Sequence, residues 1–518
     1  MNKEKGKVYL IGAGPGDPGL LTIKAMECIK KADVVVYDYL AAPSLLKYAK
    51  KNSEIIYVGK KGGDHTLTQD KINALIAGKA DSGLVVARLK GGDPFIFGRG
   101  GEEAETLIDL GIEFEIIPGV TSAIAAPAYA GIPLTHREYT SSVSLITGHE
   151  NPLKEESSIN WESFAKSGST LVFLMGVKNL PSITKNLIKH GKSPKTPVAL
   201  IRWGTTSKQE TVSGRLDNIV EEVKKTGLKP PAVIVVGEVV SLRDKMKWFE
   251  AKPLLGKTIV VTRARNQASN LVTKLEELGA QCIETPTIKI VPPRNRTPLE
   301  KSIKEIDSYD WLIFTSVNGV KFFFDTLFAA KKDVRVLGHL KFACIGPATR
   351  DKLMEFGICS DILPETYRAE SIVKAFSNIE IKNKKILLPR AKKARSVLPE
   401  ELKKMGADVF DLSAYETEQV TEGKKNLIEL LENQKIDMVT FTSSSTVKNF
   451  KNLLPLNRFK ELVSKVTCAC IGPITAQTAG DSGIKPEISA KDYTIPGLVD
   501  AIVDYFTCDL QIKESNKK

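Results

Sequence analysis

Residues 257–512 carry the same landmarks twice in the same order, and that repeat narrows the possible folds more than any other feature. IVVTRAR at 259 is answered by ILLPRAK at 386, LGA at 278 by MGA at 405, FTS at 314 by FTS at 441, and CIGP at 344 by CIGP at 470. The spacings are 127, 127, 127 and 126 residues, too regular for chance. In each copy short apolar runs end in an Arg loop, a Thr-Ser pair or a Gly-Pro pair, and helical periodicity follows. Such strand–loop–helix alternation implies a parallel sheet with helices on both faces. Two lobes of this kind create a cleft with the Thr-Ser and Gly loops facing it. Helix N-termini bind carboxylates through free N–H groups. Ser316 and Ser443 stand where they would also cap those helices, and the two roles are compatible.

A chain of 518 residues exceeds one core, so several domains are expected. No apolar run approaches the ~20 residues of a membrane helix, and the polar first residues do not read as a signal peptide. The seven cysteines are scattered without a C-x-x-C, which predicts reduced thiols, a cytoplasmic location and no metal site. The net charge of +13 is spread along the chain without interleaved aromatics, which argues against nucleic acid. It leaves a lysine-rich solvated surface or a polyanionic small substrate.

In the front half, residues 88–103 read RLKGGDPFIFGRGGEE, with five glycines in one loop after an apparent strand at 83–86. Glycines let backbone approach a ligand closely. Phe95, Ile96 and Phe97 in the same loop suit a pocket wall better than an exposed turn. Open α/β sheets place ligands at the carboxyl ends of their strands. An earlier strand at 8–11 ends in GAGPGDPG, which is neither the dinucleotide fingerprint nor a Walker loop. Strands at 33–37 and 54–58 bring Asp38 and Lys60 to the same edge. An acid and an amine there suit acid–base chemistry; a helix cap for Asp38 and a surface ion pair are the plain alternatives. Further strands are expected at 114–117, 144–147, 170–174, 197–201 and 233–236, the last four in a second α/β domain.

GAGPGDPGLL, VVYDYL, VGKKGGDH, ARLKGGDPFIFGRGGEE, PGVTSAIAAPAYAGIPLTHR and FLMG together resemble uroporphyrinogen-III C-methyltransferase over residues 7–248. That family uses S-adenosylmethionine. The resemblance implies that Pro15, Gly91, Gly92, Asp93, Ile96, Thr121, Ser122, Met175 and Gly204 hold this methyl donor. It further implies Asp38 as proton acceptor and Lys60 as proton donor. Met175 has core filling as its alternative role.

VTRAR, FTSVNGVKFF, CIGPATRDKL, LLPRAKKARSVLPEEL, AYET, FTSSSTVKNF, CIGPITAQTA and TIPGLVDAI resemble uroporphyrinogen-III synthase over residues 256–506. In that family one lobe is inserted into the other, so the chain would cross near 288–293 and return near 415–418. No cofactor is implied for this half. Arg263, Arg390, Thr315, Ser316, Thr442 and Ser443 are the candidate substrate-binding residues. Tyr415 breaks the repeat, since Ile288 stands 127 residues earlier, and it matches the family's Tyr-x-Thr. It is the candidate for assisting loss of water; a core or hinge tyrosine is the alternative.

The expected fold is therefore α/β: a tetrapyrrole-methylase fold of two α/β domains, then a bilobal synthase of two flavodoxin-like parallel-sheet lobes. The expected bounds are 1–248 for the methyltransferase (subdomains about 1–135 and 136–248), 249–256 for a linker and 257–512 for the synthase. Lobe A takes about 257–290 and 418–512, and lobe B about 291–417. The implied activity is cyclisation of hydroxymethylbilane to uroporphyrinogen III, then methylation at C2 and C7 to precorrin-2, on the sirohaem and cobalamin branch. Another tetrapyrrole methylase fused to a non-catalytic tetrapyrrole-binding module is the alternative. The expected partners are tetrapyrrole substrates, with no nucleic acid or membrane, and a homodimer through the methyltransferase half.

Overall fold

A computed structural model describes residues 4–59, 67–149, 159–262, 265–285, 288–364, 369–392, 394, 396–419 and 423–515. The chain divides into two compact units, Met1–Lys257 with Leu275–Gln281 and Phe506–Lys518, and Thr258–Lys274 with Cys282–Tyr505. Among the described residues no helix is long and apolar enough to cross a membrane.

The first unit holds two sheets. Strands β1 (Lys7–Gly12), β2 (Val34–Tyr37), β3 (Glu54–Tyr57), β4 (Val86–Lys90) and β5 (Glu113–Ile117) form a parallel sheet in the order β3-β2-β4-β1-β5. Both faces are covered, which explains the near-continuous apolar strands. Val8, Leu10, Val34, Val36 and Val86 enter one core, and Ile11, Val35, Ala87 and Leu89 the other. The strand expected at 83–86 instead starts at Val86 and runs on through Arg88 and Lys90. Charged residues at alternate positions made it read as a loop. They lie buried because an acidic residue meets them there.

Strands β6 (Val143–Thr147), β7 (Thr170–Leu174), β8 (Pro197–Arg202), β9 (Glu210–Arg215) and β10 (Ala232–Val236) form the second sheet, in the order β6-β7-β10-β8-β9. Only β6 and β7 run parallel; the other pairings are antiparallel. Strand β9, sequence ETVSGR, was too polar to be read as one and lies at an edge, where one side needs no apolar cover. The stretch after this sheet packs into the unit: Phe249 and Leu254 are buried, and the Trp248 indole donates to the Ala128 carbonyl at 3.0 Å.

The second unit also holds two sheets. Its strands are β11 (Thr258–Val261), β12 (Gln281–Glu284), β13 (Ile288–Val291), β14 (Trp311–Phe314), β15 (Lys341–Cys344), β16 (Lys385–Ala391), β17 (Asp408–Gln419), β18 (Met438–Phe441), β19 (Thr467–Cys470) and β20 (Ile488–Ser489). One sheet is ordered β12-β11-β18-β19-β20, the flavodoxin order. The other is ordered β13-β17-β16-β14-β15, parallel except for β13 against β17. The sequence repeats are therefore exchanged between sheets. The first strand of the first copy, β11, pairs with β18 of the second copy, and β16 of the second copy pairs with β14 of the first. The chain changes sheets between β12 and β13, and returns after β17.

Candidate active sites

Three neighbouring strands of the first sheet, β4, β1 and β5, end in glycine loops that touch. Gly14 and Gly92 exchange backbone hydrogen bonds of 3.2 and 2.8 Å. A Cβ on Gly119 would lie 2.3 Å from the Gly92 carbonyl oxygen and 2.6 Å from Gly12 Cα. Only glycine permits that approach. The Asp93 carboxylate closes the junction by accepting from the N–H groups of Phe95 (2.8 Å) and Gly119 (3.0 Å). Asp93 thus shapes the loop from within. Thr121 is buried and caps helix Ser122–Tyr129, and Ser122 begins that helix.

The second sheet supplies the opposite wall of this site. A Cβ on Gly204 would meet the Ala126 Cβ at 2.4 Å, so this loop seats on the small-residue helix. The Asp17 N–H donates to Thr205 Oγ1 at 3.0 Å, and the Tyr129 hydroxyl donates to Asp17 Oδ2 at 2.7 Å. Burial, with the Asp17 carboxylate beside it, pushes the Tyr129 phenol well above its ordinary pKa, so it stays a donor. Pro15 lies two residues from Asp17 in the same turn.

Backbone strain gathers here. Among the described residues eight non-glycines adopt left-handed φ, and Phe97, Arg99, Met175, Trp203 and Thr205 account for five of them. Such residues mark places where surrounding structure overrides local preference, often at ligand sites. Met175 is 53% exposed and Phe95 56%, so Met175 is not core filler. Ile96 is also exposed. A cavity of about 560 Å³ opens against Pro94, Phe95, Phe97, Arg99, Glu102 and Met175. Tyr39 packs edge-on against Trp203 at 5.6 Å between ring centres.

Asp38 stands at the end of β2 with both oxygens engaged: Oδ1 accepts from the Leu40 N–H and Oδ2 from Arg88 Nη2, each at 3.1 Å. It caps no helix; the next helical turn, Pro43–Tyr48, starts from Ala42. Gly91 packs against Leu40, where a Cβ would meet the leucine Cβ at 2.5 Å. Behind Asp38, Arg88 and Lys90 converge on Glu103 from helix Gly100–Asp109, at 3.3 Å and 2.5 Å. Burial, reinforced by the Arg88 charge, lowers the Lys90 pKa despite its carboxylate partner. Lys60 lies outside the described residues.

In the second unit, the register between β16 and β17 slips beside Arg390, so that Arg390 faces Ser413 and Ala391 faces Tyr415. Consecutive Ala414 and Tyr415 both enter one core cluster, which strict strand alternation would forbid. The bulge brings the Tyr415 hydroxyl to 3.0 Å from Ser316 Oγ and stacks its ring on Phe322 at 5.9 Å. Ser316 also caps helix Val317–Ala329 by accepting from the Gly319 N–H at 3.0 Å. Thr315 is half-buried beside it. Ser443, after half-buried Thr442, closes a capping box with Thr446 at the start of helix Ser444–Leu453. Arg390, expected to present its charge to substrate, is buried and grips Asp411 with two nitrogens, Nε at 2.6 Å. Arg263 lies outside the described residues.

Residues 7–220 match the family model for tetrapyrrole (corrin/porphyrin) methylases, and residues 269–500 match that for uroporphyrinogen-III synthase HemD. A porphyrin biosynthesis protein HemD from Ruminiclostridium josui is 36% identical over 502 residues, covering 97% of this chain and 98% of that one. The chain belongs to this HemD family of porphyrin biosynthesis proteins. An S-adenosyl-L-methionine-dependent uroporphyrinogen III methyltransferase from Methanosarcina barkeri (strain Fusaro / DSM 804) is 55% identical over 47% of this chain and 96% of its own length. A crystal structure of uroporphyrin-III C-methyl transferase from Thermus thermophilus, complexed with S-adenyl homocysteine, is 40% identical over 46% of this chain and all of that one, with a TM-score of 0.40.

Within this HemD family member the sequence reading missed the Arg88–Lys90–Glu103 cluster. The signal was present: carrying the two-residue alternation of β4 past Val86 puts Arg88 and Lys90 on one buried face, where only an acid could accompany them. The partnership of Ser316 with Tyr415 was also missed, because a bulge sets it.

Proposed function

We propose that the second unit closes hydroxymethylbilane to uroporphyrinogen III with inversion of the last pyrrole, and that the first unit methylates this product at C2 and C7 to give precorrin-2. The observation that carries the reading is end-to-end similarity to a single HemD protein, with a methylase and a synthase region in one chain. S-adenosylmethionine serves the first unit by presenting an electrophilic methyl on a sulfonium. The backbone-to-backbone junction of Gly12, Gly92 and Gly119, with Phe95, Ile96 and Met175 exposed nearby in sequence or across the cavity, fits such a ligand. Gly91, Gly92 and Asp93 form the floor, Thr121 and Ser122 one side, and Met175, Gly204 and Pro15 the rest.

Methyl transfer needs an attacking carbon held at about 3–3.5 Å from the methyl, which is a matter of positioning. The methylated pyrrole must then lose a proton, and Asp38, partly exposed at the carboxyl end of β2, accepts it. Lys60 is assigned as proton donor by resemblance. The many carboxylates of the substrate suit the positive balance of the chain, which steers polyanions toward it. A cytoplasmic location, from the scattered cysteines, and a homodimer through the first unit, from family resemblance, complete the reading. Incubation with uroporphyrinogen III and methyl-labelled S-adenosylmethionine tests it directly: two labelled methyl groups per macrocycle are expected, and unlabelled product would refute it.

In the second unit Tyr415 donates a proton to the departing hydroxyl of hydroxymethylbilane, oriented by Ser316. Water loss from this activated group is intrinsically easy, so Tyr415→Phe is expected to slow cyclisation by roughly 10²-fold, the low end of general acid effects. The type I isomer, formed without the enzyme, should rise in proportion. An unchanged rate of type III formation would remove Tyr415 from the chemistry.

A further inference from the structure

We infer that Glu103 and Lys90 are positioning residues for methyl transfer, holding the Arg88 guanidinium so that it aims Asp38 at the acceptor. The inference rests on the reading of Asp38 as proton acceptor. Helix Gly100–Asp109 delivers Glu103 onto the face of β4 that carries Val86, Arg88 and Lys90. The Arg88, Lys90 and Glu103 side chains are 3%, 5% and 1% exposed, whereas Asp38, at the end of the cluster, is 27% exposed. The cluster therefore runs from the interior of the sheet to its edge, and Asp38 is the member with most access to a ligand.

Stability does not account for these charges. Neighbouring positions on the same face are Val8, Leu10, Val34, Val36 and Val86. Well-packed apolar residues in place of a buried ion cluster are commonly neutral or stabilising. Orientation does account for them. The guanidinium is held at three points: Nε by Glu103 Oε1, Nη1 by the Leu89 carbonyl at 2.8 Å and Nη2 by Asp38 Oδ2. Glu103 Oε1 accepts from Arg88, from Lys90 and from Gln69 at 3.0 Å, while Oε2 has no hydrogen-bond partner among the described residues. A single oxygen is thus the focus of three donors, and Lys90 and Gln69 fix it in place. Without that anchor Arg88 keeps its charge but loses the contact that sets its rotation. The Asp38 oxygen facing it then loses a fixed direction.

Three variants of the full chain test this, with methyl transfer to uroporphyrinogen III, S-adenosylmethionine affinity and melting temperature as readouts. Glu103→Leu removes the oxygen that anchors Arg88 and is expected to lower kcat about 10- to 100-fold, as misplacement of a reacting group does. KM and the affinity for S-adenosylmethionine should stay within about twofold. Glu103→Leu also strands Lys90, so its melting temperature should fall. The double variant Glu103→Leu/Lys90→Met removes the stranded charge and should recover the melting temperature while kcat stays low. Recovery of kcat together with melting temperature would show a purely structural cluster and overturn the inference. Unchanged kcat in Glu103→Leu would overturn it as well. Asp38→Asn, measured alongside, separates the two claims. Full activity in that variant removes the reading of Asp38 and the inference with it, whereas loss there with full activity in Glu103→Leu removes the inference alone.

Discussion

Asp38→Asn is expected to lower kcat of methyl transfer by about 10²–10⁴-fold, the range of a positioned general base, with S-adenosylmethionine affinity unchanged. The substitution is close to isosteric. The amide oxygen can still accept one of the two hydrogen bonds that Leu40 N–H and Arg88 Nη2 now make to the carboxylate, so the fold should survive. Proton acceptance is what disappears. Because Asp38 spends its hydrogen bonds on Leu40 N–H and Arg88, and the Gly12–Gly92–Gly119 junction is held by backbone contacts and Asp93, donor binding measured by calorimetry should report no loss. A variant that turns over normally would assign proton removal to another group or to solvent.

Gly119→Ala is expected to disable the same unit by a different route. The added methyl would lie 2.3 Å from the Gly92 carbonyl oxygen and 2.6 Å from Gly12 Cα, and backbone on both sides gives it no flexible neighbour to displace. Overpacking of this kind costs about 1–3 kcal/mol or more. Here the strain falls on the loops that end β1, β4 and β5 together. S-adenosylmethionine affinity should drop along with the unfolding midpoint of the first unit. Cyclisation of hydroxymethylbilane should persist, since that chemistry belongs to the second unit. Wild-type donor affinity in Gly119→Ala would mean that the junction does not form the donor site.

Much of this architecture was legible as local pattern. Apolar runs closed by glycine marked β1, β3 and β5, and one closed by Asp38 marked β2, because buried parallel strands need little but apolar residues. Strand β4 defeated that rule: Arg88 and Lys90 are tolerated inside the sheet only because Glu103 reaches them from a helix one loop later. Strand β9 escaped because an edge position admits polar residues. The repeat in the second half was plain, yet its two copies do not form separate sheets. Pairing of β11 with β18 across about 180 residues is a long-range choice that no local pattern encodes, and family resemblance supplied it. Tyr415 stood out by breaking the repeat, but its approach to Ser316 depends on the bulge at Ala414, which propensity does not reveal. Arg390 shows the converse. Its place in the repeat suggested a ligand for substrate, whereas Asp411, one strand away, has claimed its guanidinium.

The measurement that bears most directly on the account is a single incubation of the purified chain with hydroxymethylbilane, with and without S-adenosylmethionine, followed by oxidation and isomer analysis by mass and chromatography. Type III uroporphyrin without the methyl donor, converted to a dimethylated product in its presence, is the predicted result. Type I product alone, with no methylated macrocycle when the donor is added, would contradict it.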